Sequence, residues 1–229
     1  MRHVPFTRSL PLRLLARRRA MSADWDERAR LNAPFYICTE VATAEEFAAS
    51  GVRDLDEKVL EGIALPPHAV TVEIGSGIGR LARPLAARVA KVYACDVSAE
   101  MIARGREYCC DIGNIEWVHS SGDLRGIPDA CADFVFSHIV FQHVPRKKFI
   151  RTYLSEAFRV LKPGGIFRAN VDGRSRQWFR RIAADSWSGV VFSAWEWRRE
   201  LERAGFRVAS ITGAGTQYLW GTATRPESV

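Results

Sequence analysis

The sequence has no acidic residue in its first 20 positions, no C-x-x-C pair among its five cysteines, and no internal repeat. It also has no uninterrupted apolar run near the roughly 18–20 residues that would span a bilayer. The last absence excludes a transmembrane helix. The cysteines (Cys38, Cys95, Cys109, Cys110 and Cys131) are odd in number and irregularly spaced, which argues against a disulfide scaffold. No histidine or cysteine stands at ligand spacing from another, so no zinc or other metal set is expected. Adjacent Cys109 and Cys110 read as packing residues at the end of a helix. A reducing cytoplasm is the expected compartment.

The missing acids locate the charge. Residues 1–20 carry six arginines, and removing that +6 from the whole chain's +7 leaves +1 for the rest. The basic signal therefore belongs to a tail, and a nucleic-acid substrate loses most of its electrostatic support. Three readings fit the tail: a targeting or membrane-surface segment, a disordered arm, or an extension upstream of a start at Met21. The last two are preferred, because terminal basic arms are usually solvated and this one lacks the apolar core of a secretory signal.

What is present is a chain of 229 residues with 47% hydrophobic and 26% charged composition, as in one soluble globular domain. Asp24 to Arg30 looks helical, with a break at Pro34. Leu55, Val59 and Ile63 recur at helical spacing before Pro66-Pro67. Strands are then expected at Val70–Ile74, Lys91–Cys95, Ile115–Trp117, Asp133–Ser137 and Ile166–Val171. Between them the pattern predicts a helix through Leu81, Leu85 and Val89, one from Ala99 to Cys109 capped by Ser98, and one on the Phe149–Leu161 face. Beyond a Trp-rich stretch lie a helix over 194–204 and an antiparallel hairpin, Phe206–Thr212 with Tyr218–Thr224. Such alternation implies a doubly wound, mostly parallel α/β sheet. The expected organisation is a basic, disordered extension over 1–20 and a single domain over 21–229. That domain divides into a helical cap or lid (21–66) and a Rossmann-like core (67–229).

Ligands of such sheets bind beyond the carboxyl ends of the strands, where strand order reverses. Three loops should meet there: Glu73–Gly79, the end of the second strand at Asp96, and the loop holding Asp123. Gly75, Gly77 and Gly79 let the first loop turn sharply and approach a ligand closely. A dinucleotide fingerprint starting at Gly75 needs glycine at position 80, where Arg80 stands. Glu73 would sit poorly beside a pyrophosphate but suits a ligand carrying an ammonium and a sulfonium. Asp96 follows Glu73 by 23 residues. It is suited to ribose hydroxyls, or alternatively to the dipole of the helix that begins beside Ser98.

The segments Val-Thr-Val-Glu-Ile-Gly-Ser-Gly-Ile-Gly79, Cys-Asp96-Val-Ser-Ala-Glu-Met101, Ser-Gly-Asp123-Leu, the run from Asp133 to Val144, and Leu-Lys-Pro-Gly-Gly165 follow one another in order. Together they resemble the motifs of the class I S-adenosylmethionine-dependent methyltransferases, most closely the small-molecule, type 11-like branch. The resemblance covers about Val70 to Val171. It implies a seven-stranded sheet whose last strand is antiparallel, and S-adenosylmethionine as cofactor. It also implies that Glu73, Gly75 and Gly77 face the methionine moiety, that Ser76 and Gly79 belong to the same cofactor-binding loop, and that Asp96 holds the ribose. Val97 and Met101 would pack on the nucleoside, Asp123 would accept from the adenine amino group, and Leu124 would touch the ring. Ser137 and His138 would lie close to the sulfonium. Met101 reads equally as a core side chain.

Methyl transfer from a sulfonium needs alignment and exclusion of water, and a base only where the acceptor must lose a proton. His138 and His143 are the candidates, each with a purely structural alternative. The acceptor pocket is expected from Trp25 through Tyr36 and from the Arg174–Trp197 stretch, with Trp25, Tyr36, His143 and Trp187 as its substrate-facing residues. The segment after the fourth strand lacks the Asn/Asp-Pro-Pro-aromatic signature of exocyclic amine methylation, and no Pro-Cys nucleophile is present. The leading expectation is a methyltransferase acting on oxygen, nitrogen or carbon of a small molecule. The alternatives are an NAD-dependent oxidoreductase, a regulatory protein that binds the cofactor without turnover, and an RNA methyltransferase recruited by the basic tail. Oligomeric state is not legible.

Overall fold

The computed structural model describes residues 21–39, 41–174 and 189–227. In chain order the elements are α1 (Met21–Ile37), α2 (Ala44–Asp54), a π-helical turn (Leu55–Val59), β1 (Val70–Ile74), α3 (Ala82–Ala86), β2 (Lys91–Asp96), α4 (Ala99–Tyr108) and β3 (Ile115–His119). Then come β4 (Ala132–Ser137), a 3-10 turn (Phe141–His143), α5 (Lys147–Val160), β5 (Leu161–Val171), α6 (Ala194–Arg203), β6 (Arg207–Thr212) and β7 (Leu219–Thr224). They build one seven-stranded sheet of order β3-β2-β1-β4-β5-β7-β6. All pairings are parallel except those of β7, which runs antiparallel to both β5 and β6. The doubly wound sheet with an antiparallel last strand is thus as the sequence implied.

Covered on both faces, the central strands read as short apolar runs. Period-two alternation divides them between two cores. Val72, Ile74 and Val135 pack toward α5 and α6, with Ile150, Leu154, Trp197 and Leu201. Phe134 and Phe136 pack the opposite way, with Leu55, Val59, Leu81, Leu85 and Trp220. Glu73 alternates with Val72 and Ile74 and so falls on this second face.

Several boundaries differ from the sequence reading. Pro34 does not end α1; the kink is at Asn32 (φ −169°, ψ 86°), whose Oδ1 accepts the Phe35 N–H at 3.2 Å. Asn32 thereby caps a second helical segment, and Pro34 sits in its first turn, where a missing N–H costs little. The repeat at Leu55, Val59 and Ile63 belongs to a helix that starts at Ala44 and stops at Val59, leaving Ile63 outside. The start signal is a capping box in which Thr43 and Glu46 exchange hydrogen bonds. The helix expected through Val89 is only Ala82–Ala86. β5 begins at Leu161, earlier than Ile166. All five cysteines are free thiols. Among the described residues no helix is long and apolar enough to cross a membrane.

Candidate active site

Strand order reverses between β1 and β4, and the cleft opens beyond their carboxyl ends. It holds about 850 Å³ of empty space, a figure that includes open solvent at its mouth. Glu73, Gly75, Ser76 and Gly77 line it from the first loop, Asp96, Val97 and Met101 from β2 and α4, and His138 and His143 from beyond β4. Trp25 and Tyr36 line it from α1. These sequence-selected residues are therefore brought together.

The glycine loop is shaped by its neighbours. Gly75 (φ 77°) and Gly77 (φ 55°) are left-handed, and a Cβ on Gly75 would stand 2.3 Å from a Val140 methyl. The loop is tied to β2, because Gly75 and Ser76 both donate to the Cys95 carbonyl, at 2.7 and 2.9 Å. The Gly77 N–H donates to Asp96 Oδ2 at 2.8 Å, and the Ser98 N–H donates to Asp96 Oδ1 at 2.9 Å. The Asp96 carboxylate is thus fixed at the rim of the cleft. Ser98 caps α4 through Met101 and also donates to Asp26 Oδ1 at 2.6 Å, which ties α1 to this corner.

Glu73 is the anomaly. It is 3% exposed, and its Oε2 is buried with no hydrogen-bond partner. Burial pushes its carboxyl well above the ordinary carboxylate range, and Arg80 offsets this only in part. Such an orphan calls for an explanation, and a cationic ligand is one. Ser76 Oγ, Arg80 Nε and both ring nitrogens of His138 are also buried without hydrogen-bond partners. Burial raises Asp96 too, although three backbone N–H groups oppose the shift.

Behind the loop lies a cluster that sequence reasoning missed. Arg80, singled out only as the residue that spoils a dinucleotide fingerprint, is buried and donates to Asp54 Oδ2 at 2.8 Å and Ser50 Oγ at 3.1 Å. Lys58 bonds Asp54 Oδ1 at 2.6 Å, and His138 Nε2 lies 3.7 Å from Oδ2. Burial pushes Asp54 up, but His138, Lys58 and Arg80 outweigh it and hold the carboxyl far below its usual range. The His138 ring stacks on Trp220 at 5.4 Å, and burial lowers its pKa, so it is neutral near pH 7. Arg80 and Asp54 are 26 residues apart, and no local pattern announces their pairing. Tyr153 and Ile37 also line the cleft and were not anticipated.

Other expected residues lie elsewhere. Gly79 packs on the far side, where a Cβ would stand 2.9 Å from Trp117. Leu124 is wholly buried in the core beneath α5. Ser137 Oγ donates to the Ile74 carbonyl at 3.0 Å, joining the ends of β4 and β1. Asp123 pairs with Arg125 at 3.0 Å and is not part of the cleft lining. Trp187 lies outside the described residues, as do Arg176, Trp178, Phe179, Arg180, Arg181 and the tail over 1–20. Among the described residues no group of three or more His, Cys, Asp or Glu is placed to hold a metal ion.

Comparison with known proteins agrees with this geometry. Residues 72–169 match the profile of a family described as methyltransferase domain. The demethylmenaquinone methyltransferase of Tropheryma whipplei is 34% identical over 94 residues, 41% of this chain and 38% of the relative. The chain spans less than half the length of the curated relatives it matches. The structure of a SAM-dependent methyltransferase from Aquifex aeolicus superposes with a TM-score of 0.59 at 24% identity, covering 81% of this chain and 100% of that one. Phosphoethanolamine N-methyltransferase 1 of Haemonchus contortus, solved with phosphoethanolamine and S-adenosylhomocysteine, gives 0.69 at 19% identity, covering 93% and 50%. Strand order, cleft and profile converge: residues 72–169 match a methyltransferase-domain family, and the fold is the one seen in the S-adenosylmethionine-dependent methyltransferase of Aquifex aeolicus.

Proposed function

We propose that the chain transfers the methyl group of S-adenosylmethionine to a small-molecule acceptor by in-line displacement. The observation that carries this reading is the buried, unpartnered Glu73 Oε2 at the reversal of strand order, beside the fixed carboxylate of Asp96. Glu73 takes the ammonium of the methionine moiety, over the backbone of Gly75, Ser76 and Gly77. Asp96 takes the ribose hydroxyls; each carboxylate oxygen has two acceptor sites, so the bonds from Gly77 and Ser98 leave capacity for both. Val97 and Met101 pack on the nucleoside. Asp123 reaches the adenine amino group by exchanging its exposed partner Arg125, a cheap exchange at a surface pair. Gly79 and Leu124 serve packing.

The cofactor supplies an activated methyl on a sulfonium, so the protein's work is alignment and exclusion of water. Trp25, Tyr36 and Ile37 cover the cleft from α1, and residues 21–66 act as a helical cap on a single core over 67–229. His143, edge-on to Trp25 at 5.4 Å with its Nε2 3.2 Å from Gln142 Nε2, and His138, stacked on Trp220 with both ring nitrogens open, are the two imidazoles in the cleft that could take a proton. The names of similar proteins, demethylmenaquinone and phosphoethanolamine methyltransferases, are consistent with an acceptor of small-molecule size.

Calorimetry with S-adenosylmethionine, S-adenosylhomocysteine and NAD tests the reading. The first two should bind and NAD should not. Tight NAD binding with no response to the sulfonium cofactor would sink it.

A further inference from the structure

Ile139 has φ 58°. For a β-branched residue the left-handed region is a true outlier, and it persists only where its surroundings impose it. Immediately after β4, at the lining of the cleft, something must hold this turn. The Ile139 N–H donates to Asn170 Oδ1 at 2.8 Å. A backbone N–H can only donate, so the amide orientation of Asn170 is fixed, with Oδ1 toward Ile139.

Asn170 is well built for that task. It is fully buried near the end of β5, with β4 on one side and β7 on the other; Ser137 pairs with Ala169, and Asn170 itself with Trp220. The turn fixes what flanks it. Before it, His138 stacks on Trp220; after it, Val140 fills the space above Gly75 that a Cβ would need. Any relaxation of Ile139 toward negative φ moves Val140 off the glycine loop.

We propose that Asn170 is a positioning residue that holds the left-handed turn at Ile139, seating Val140 against Gly75 and so shaping the cofactor end of the cleft. It acts through Ile139 and Val140 and does not touch the cofactor. The inference rests on the cofactor reading given above.

The test is a double-mutant cycle read by calorimetric binding of S-adenosylhomocysteine. Asn170→Ala in the wild-type background should weaken binding by about tenfold or more. Glycine adopts the left-handed region without penalty, so in an Ile139→Gly background the same change should cost less than about threefold. A purely packing role for Asn170 would leave the same hole in both backgrounds, and equal losses in the two would overturn the proposal. So would unchanged affinity in Asn170→Ala alone. If Asn170→Ala does not fold, the nearly isosteric Asn170→Leu runs the same cycle. Amide hydrogen exchange in the wild-type protein adds a check that needs no variant. The Ile139 amide should be protected, and rapid exchange there, with the β4 amides protected, would also overturn the proposal. Failure of wild-type protein to bind S-adenosylhomocysteine at all would instead remove the cofactor reading itself.

Discussion

Asp54 and Glu73 are both buried carboxylates within the field of Arg80, yet their surroundings are opposite. Asp54 has Arg80 on one oxygen and Lys58 on the other, and is held ionised. Glu73 has an oxygen with no partner and is pushed toward its neutral form. A folded chain that pairs one buried acid fully and leaves the other open, a short distance across the glycine loop, separates two tasks. The first acid anchors α2 to the residue that follows the loop. The second, on the function proposed above, keeps a desolvated acceptor ready for a cation, at a cost to the free protein.

The largest expected effect comes from breaking the paired side. Asp54→Ala leaves Arg80 buried without its counter-charge, and loss of one partner of a buried pair costs about 3–5 kcal/mol. Urea unfolding should show this as a lower midpoint. A loss below about 1 kcal/mol would mean that Arg80 finds water or another acceptor, and the contrast with Glu73 would weaken.

Next in size is the rim. Asp96→Ala removes the acceptor for the ribose and also the anchor of the Gly77 and Ser98 amides, so cofactor affinity should fall by about a hundredfold, roughly 2.7 kcal/mol. Unchanged affinity would refute the ribose assignment. Glu73→Gln should act in two directions. It keeps the shape but removes the ionisable group, so the free protein should melt higher while cofactor affinity falls by about tenfold. Asp54→Asn, by contrast, should lower the melting point. If both substitutions move stability the same way, the two acids do not differ in the manner described.

How much of this was legible in the sequence follows from the range of the interactions involved. β1, β2 and β4 were readable because dense apolar runs and adjacent turn residues are local signals. So was the glycine loop that lines the cleft, since Glu73, Gly75 and Gly77 lie within a few positions. The place of Asp96 at the cleft was legible because one βαβ unit fixes its separation from Glu73. The Asp54–Arg80 pair, Asp26 at the start of α4, and the Asn170–Ile139 bond join residues 26, 72 and 31 positions apart. No periodicity encodes such contacts; they exist only once the sheet has closed. Gly79 and Leu124 fall outside the cleft lining, because a motif position does not say which face of the chain meets the cleft. The capping box at Thr43 was a local signal overlooked, and the helix boundary at Ala44 was lost with it.

The smallest expected effect is a single proton, and it bears most directly on Glu73. Burial raises the folded carboxyl above its ordinary value of 4.5, with Asp96 adding to the shift and Arg80 opposing it. A group raised in this way contributes its full stability below the unfolded value and loses it as pH rises through the folded one. The free protein should therefore lose stability in that window above 4.5, and Glu73→Gln should flatten that part of the profile. A cation placed at the carboxylate reverses the shift, because a nearby opposite charge favours ionisation. Cofactor binding in the same window should then release up to about one proton. Asp96 meets neutral hydroxyls and should contribute little. Calorimetry in two buffers with different heats of ionisation should give different apparent enthalpies, and Glu73→Gln should remove most of the difference. Equal enthalpies for the wild-type protein would mean that the carboxylate is already ionised before the ligand arrives, and the open acid would be no different in kind from the paired one.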